Sequence, residues 1–434
     1  MRYFQGFDRA YLLLIYPVLR MTWPVLQYRF SNMTMVPFMA LWFFHIFFGN
    51  NPARIRTYEL KNYFIGSLVA IAAYLFLPKL IGQSTFSAYI AMAGVVQFLF
   101  MFSIVHYSLT RGKIKELKFA TCCVFFSLLW MGFMAFRHGS SYVEFGAARM
   151  TTAITQANAH NASIDAEALA AQAASSGMGT AASAYICAFV IPLFIYSFFM
   201  VRGRVRKFSC IILSYACYLN IKYSGINTPF MVLGAGLVLV LFIKIFRNRQ
   251  AILFTGVLMA LFFISFAFNP KIISFMSAPL SSLAEATASL PQFSMRCASM
   301  ADTVRGVQGT YAAERYQLQV TSARSFINGN WLLGGIAGPH RIGGHSELLD
   351  CLAKFGLLGL FVMCMFFVYY LKYCNALARL SLGPRWLYAP YVYIGAWIFS
   401  SVPNPANLGA PIMMLVIPGM GVFYKEFEER WGIE

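Results

Sequence analysis

Apolar runs long enough to cross a lipid bilayer recur from one end of this chain to the other, and no other feature limits its fold so strongly. A bilayer-spanning helix needs about 20 consecutive, mostly apolar residues. Such runs fall near residues 10–28, 34–49, 63–81, 86–109, 117–136, 180–201, 208–224, 228–246, 251–268, 346–371, 386–402 and 407–424. Composition agrees: 59% of the 434 residues are hydrophobic, only 11% are charged, and the mean hydropathy is +0.63. These values exclude a soluble globule, and the spread of the runs excludes a soluble enzyme with one membrane tail or one cleaved leader. The reading is an all-α polytopic membrane protein with about 12 transmembrane helices.

The formal charge of +19 would suggest nucleic acid in a soluble protein. Here the excess sits in short connections between apolar runs, where it sets orientation. Five of them carry Arg54, Arg56 and Lys61; Arg111, Lys113, Lys115 and Lys118; Arg202, Arg204, Arg206 and Lys207; Lys244, Arg247 and Arg249; and Lys372, Arg379 and Arg385. With twelve spans all five share one side, the cytoplasm by the positive-inside rule, together with both termini. No nucleic-acid partner is expected. The nine cysteines show neither a CxxC pair nor zinc-ligand spacing and are read as packing residues.

This topology divides the chain into a bundle of about nine helices over residues 1–268, an outer loop at 269–345, and three C-terminal helices over 346–434. A second outer segment, 137–179, is rich in Ala, Ser, Thr and Gln and reads as mobile or loosely helical. The 269–345 loop is more informative. It carries Arg296, Arg305, Arg315, Arg324, Arg341, His340 and His345 against Glu285, Asp302 and Glu314, a balance suited to an anionic partner or to lipid headgroups.

Residues 311–327 can form one helix with Arg315, Gln319, Ser322 and Phe326 close to a single stripe. Arg324 lies nine positions beyond Arg315, about half a turn away at 100° per residue, so the helix aims only one of them at a common site. Arg315 is taken as the inward one. A turn at residues 330–335 follows, and His345 then stands just before the next span, with Ser346 as N-cap and Glu347 and Asp350 complementing the positive helix end. Arg20, inside the first run, faces a polar cavity or marks an interfacial segment.

Arg315, the turn at 332–335, and the stretch from Gly344 through His345, Ser346, Glu347 and Asp350 to residues 355–360 together resemble the bacterial O-antigen polymerase and O-antigen ligase superfamily. The detailed likeness covers about residues 311–360. It implies a C-type glycosyltransferase fold in the bacterial inner membrane, working on the periplasmic face without a metal, nucleotide sugar or other cofactor. Arg315 corresponds to the family's pyrophosphate-binding arginine and His345 to its essential histidine. The implied partners are undecaprenyl-pyrophosphate-linked donor and acceptor glycans, the bilayer itself, and a chain-length regulator and flippase.

The family often carries a further arginine at the outer end of a middle span, in a Ser-Arg context. This chain departs there, and Lys222 or Arg137 is left to supply that charge, with Arg324 and Arg341 as further phosphate contacts. Loss of the ligase-like Ser-Arg element favours a polymerase of O-antigen, capsule or exopolysaccharide over a ligase to lipid A core. A flippase or other transporter is the reading of a different class, and the lack of a detectable repeat between the halves weighs against it. No DxD, HExxH or GxxxxGK[ST] motif is present, so the energy must come from an already activated donor or from a gradient.

Overall fold

The computed structural model describes residues 7–30, 32–49, 58–80, 85–138, 181–201, 203–224, 226, 228–246, 248–268, 270–288, 294, 297–298, 301–302, 311–344, 346–379, 384–402 and 410–430. Among these residues the chain is helical, with no strand. The elements are α1 (Ile15–Thr22), α2 (Pro24–Arg29), α3 (Val36–Phe48), α4 (Tyr58–Leu80), α5 (Thr85–Thr110), α6 (Ile114–His138), α7 (Ala181–Met200) and α8 (Arg204–Tyr223). They continue with α9 (Thr228–Phe246), α10 (Arg249–Phe268), α11 (Pro270–Ala286), α12 (Tyr311–Asn328), α13 (Glu347–Leu377), α14 (Ala389–Ser400) and α15 (Ala410–Arg430). Each apolar run recognised in the sequence overlaps helix among the described residues. Three described helices, Ile114–His138, Ala182–Met200 and Glu347–Leu377, are long and apolar enough to cross a membrane.

The first run is not one helix. Proline disfavours the α region for its predecessor, and Trp23, ahead of Pro24, is extended at φ −97° and ψ 113°, which separates α1 from α2. Arg20 closes the gap: it is buried, and its Nε donates to the Phe30 carbonyl at 2.8 Å. The guanidinium thus reaches across the bend to a carbonyl just beyond the end of α2, a polar partner for an arginine inside an apolar run.

Packing follows ring interlock and small-residue contact. Tyr11 meets Trp42 edge-on at 5.0 Å, Trp42 meets Tyr107 at 5.5 Å, and the polar tips of Tyr11 and Trp42 reach Ser108 and Ser103. Between helices α6 and α8, a Cβ on Gly132 would stand 2.4 Å from that of Ala216, so the backbones are already in contact. Lipid removes the hydrophobic drive between helices, and such close approach then supplies the van der Waals attraction that holds them.

The two ends of the bundle differ. One gathers Lys113 between α5 and α6, Arg206 at the start of α8, and Arg249 at the start of α10 beside the Tyr391 ring. There Asp8 ties the chain start to the bundle: its amide donates to Glu116 Oε1 at 3.0 Å, and its carboxylate lies 3.2 Å from His45 Nε2 and 3.8 Å from Lys113 Nζ. Lys113, Arg206 and Arg249 are described members of three basic connections seen at this rim. The opposite rim holds the ends of α4, α6, α8 and α14 and the start of α13, with α12 packed upon it.

Candidate functional site

Helix α12 occupies residues Tyr311–Asn328, one residue longer than the sequence pattern predicts, and its principal packing partner is α13. Gln319 and Ser322, on the predicted stripe, are buried, whereas Arg324 is exposed. The continuous helix therefore separates the faces as the 100° rule requires.

Ser322 forms the centre of the junction. Its hydroxyl donates to Asp350 Oδ1 at 2.5 Å and its oxygen accepts from the Gly343 amide at 2.9 Å, so α12, the 341–344 segment and α13 meet at one buried side chain. A Cβ on Gly343 would lie 2.2 Å from the Leu318 carbonyl oxygen, and only glycine allows this approach. Arg341 is exposed, and its amide donates to Ser325 Oγ at 3.0 Å, one turn along the same helix.

Ser346 caps α13 as the sequence predicts, accepting from the Leu349 amide at 3.2 Å. It also reaches α14: the Ser401 carbonyl accepts from the Leu348 amide at 3.0 Å and from Ser346 Oγ at 3.3 Å. Glu347, read from sequence only as a complement to the helix dipole, accepts from the Tyr74 hydroxyl at 2.6 Å and thereby links α13 to α4. Tyr74 is a member of the site that sequence reasoning missed. A tyrosine in an apolar run signals nothing by itself, and its partner is 273 positions away.

The turn after α12 docks into a break in α13. Gly356 has φ 60° and ψ −153°, a region open in practice only to glycine, and it interrupts the helix at that point. The amides of Leu357 and Leu358, deprived of helical acceptors, donate instead to the Trp331 and Leu332 carbonyls at 2.8 Å and 3.0 Å. Asn330 shapes the turn, its Oδ1 accepting from the Leu332 and Leu333 amides at 3.0 Å and 2.9 Å. Ile336 then packs against the small cluster of Leu77, Cys351 and Phe355.

The remaining candidates distribute as follows. Arg315 belongs to α12, one turn before Gln319, but its side chain lies outside the described residues, as does the whole of His345. The neighbours of His345 in the chain, Gly344 and Ser346, are described; Ser346 is fixed to Asp350, α13 and α14, and Gly344 follows the amide held by Ser322. Arg137 and Lys222 are exposed at the ends of α6 and α8, which pack on each other, with Lys222 Nζ 5.1 Å from the Tyr223 ring. The geometry thus collects Arg324, Arg341 and the segments flanking His345 around α12, and leaves Arg137 and Lys222 at the ends of two helices that pack on each other. Residues 137–179 lie outside the described residues beyond His138, and Arg296 and Arg305 do too. Among the described residues no group of three or more His, Cys, Asp or Glu side chains is arranged to hold a metal ion.

Comparison of the whole chain with models of known protein families and with curated proteins finds no match in either.

Proposed function

We propose that the chain is a polysaccharide polymerase that transfers a growing undecaprenyl-pyrophosphate-linked glycan onto a lipid-linked repeat unit at the periplasmic face of a bacterial inner membrane, within a twelve-span C-type glycosyltransferase fold. One observation carries the reading. The segments that bear the resemblance, α12, the turn at 332–335 and the start of α13, follow one another in the chain and pack as one unit held by Ser322, Asp350, Gly343 and the break at Gly356.

The reaction asks for few groups. An acceptor hydroxyl oxygen attacks the anomeric carbon, the bond from that carbon to the pyrophosphate oxygen breaks, and undecaprenyl pyrophosphate departs with the electron pair. The hydroxyl proton passes to a base within hydrogen-bond reach, the role assigned to the His345 imidazole. Charge develops on the leaving pyrophosphate, and Arg315 answers it with a guanidinium that stays protonated at any working pH and binds phosphate oxygens bidentately. Arg324 and Arg341, exposed on and beside α12, and Arg137 and Lys222, exposed at the ends of α6 and α8, are assigned to further contacts with phosphate or glycan. The donor is already activated, so neither a metal nor a nucleotide is required.

Purified protein in proteoliposomes, supplied only with lipid-linked repeat units, should yield a ladder of lengthening products. Dependence on lipid A core as acceptor would replace this reading with the ligase, and movement of lipid-linked substrate between leaflets without a covalent product would replace it with a transporter.

A further inference from the structure

The turn between α12 and α13 carries an apolar surface that its place in a connecting loop does not explain. Ile327, Trp331 and Leu332 are each 62% exposed. Directly below them on α13, Leu357, Phe361, Cys364 and Val368 are exposed at helical spacing, forming one outward stripe along a helix fit to span a membrane. The bonds from Leu357 to Trp331 and from Leu358 to Leu332 join the two surfaces without a gap.

We propose that residues 327–332 form a membrane anchor: the apolar tip sits among the upper acyl carbons of the bilayer, and Arg324 and Arg341 stand as its cationic collar at headgroup level, the level at which a lipid-linked pyrophosphate would also lie. This goes beyond the proposed reaction and holds whatever chemistry the chain performs.

Three further observations carry it. The first is depth. Residues 357–371 of α13, from the break to the last residue before Lys372, span about 22 Å at 1.5 Å per residue, less than the roughly 30 Å of a hydrocarbon core, so the break at Gly356 falls within the outer part of the bilayer. The second is backbone chemistry, because non-helical chain survives near lipid only when its polar groups are paired. Here the Leu332 and Leu333 amides bind Asn330 Oδ1, the Gly334 amide binds the Asn330 carbonyl, and the Trp331 and Leu332 carbonyls accept from α13. Even the Trp331 indole is paired, donating to the Ile327 carbonyl at 3.0 Å. The third is charge. Arg324 is three residues before Ile327 on the same helical face, and both it and Arg341 are exposed, as phosphate-facing cations must be.

Tryptophan emission of the full-length protein in vesicles tests the anchor. The difference between wild type and Trp331→Phe isolates one of 7 indoles. That component should be quenched by phospholipids brominated on the upper acyl carbons and spared by aqueous iodide. Quenching by iodide without bromine quenching would put the tip in water. Protection from both quenchers would mean that protein, such as a second copy of the chain, covers it. Either result overturns the proposal. Bromine quenching should also be stronger in phosphatidylglycerol than in phosphatidylcholine vesicles, and the double variant Arg324→Gln, Arg341→Gln should erase that difference. A difference that persists would overturn the role given to the arginines.

Discussion

Substituting Gly356 by alanine probes the joint between the outer turn and α13 directly. Its backbone, at φ 60° and ψ −153°, imposes on any residue with a Cβ a strain of about 1–3 kcal/mol. The added carbon would also arrive 2.6 Å from the Trp331 oxygen and from the Leu332 carbonyl carbon and oxygen. These are backbone atoms without rotamers to yield, so overpacking adds about 1–3 kcal/mol. Together the penalty is about 2–6 kcal/mol if the turn stays docked. A second outcome competes, since alanine favours helix over glycine by about 1 kcal/mol. Helix α13 can straighten through residue 356, its amides return to helical acceptors, and the turn is released. Gly203 provides the control: its φ is 118°, but among the described residues no atom beyond its chain neighbours lies within 4 Å of an added Cβ, so Gly203→Ala bears the backbone strain alone. Reversible unfolding in mixed micelles should show Gly356→Ala less stable than Gly203→Ala by about 1–3 kcal/mol, the overpacking share. Limited proteolysis should meanwhile open residues 330–344 only in the former. Equal destabilisation with the turn still protected in both would refute the reasoning.

Ser322→Ala leaves the buried Asp350 carboxylate without its shortest donor and the Gly343 amide without its acceptor, so unfolding in the same micelles should register a loss of about 1–3 kcal/mol per orphaned group. Wild-type stability would show that water replaces the hydroxyl and that the junction is not sealed. Arg315→Ala and His345→Ala should each abolish the product ladder while the protein still inserts into membranes; normal long-chain product from both would remove them from the reaction. Polymerisation should survive exhaustive chelation, and a strict demand for a divalent ion would contradict the proposed chemistry.

Much of the helical layout was legible because apolar length is a coarse signal that tolerates local error. Even so, the pattern is blind to breaks. Trp23 precedes a proline and could have been suspected of dividing the first run. Gly356 sits in a stretch, Phe355 to Leu360, that reads as continuous helix, because a glycine needed for its left-handed backbone looks the same in sequence as one needed for its small size. Helix α12 and the Ser346 cap were readable from local spacing alone. The partners of Glu347 and Asp350 were not. Dipole complementarity predicts acidic residues in a first helical turn without saying what else they hold, and Tyr74 and Ser322 arrive from other elements. Arg20 shows the same limit: its charge is visible in sequence, its carbonyl partner only in space.

The broken helix bears on how the chain is made. A span normally enters the bilayer as a self-sufficient unit, yet α13 must borrow two carbonyls from residues 331 and 332 to complete its hydrogen bonding. Those residues precede it in the chain, so the acceptors are already made when residue 357 is added, and this helix completes its hydrogen bonding only when the turn docks on it. Grafted alone into another protein, the same sequence would meet the lipid with no such lender and would close into an unbroken rod.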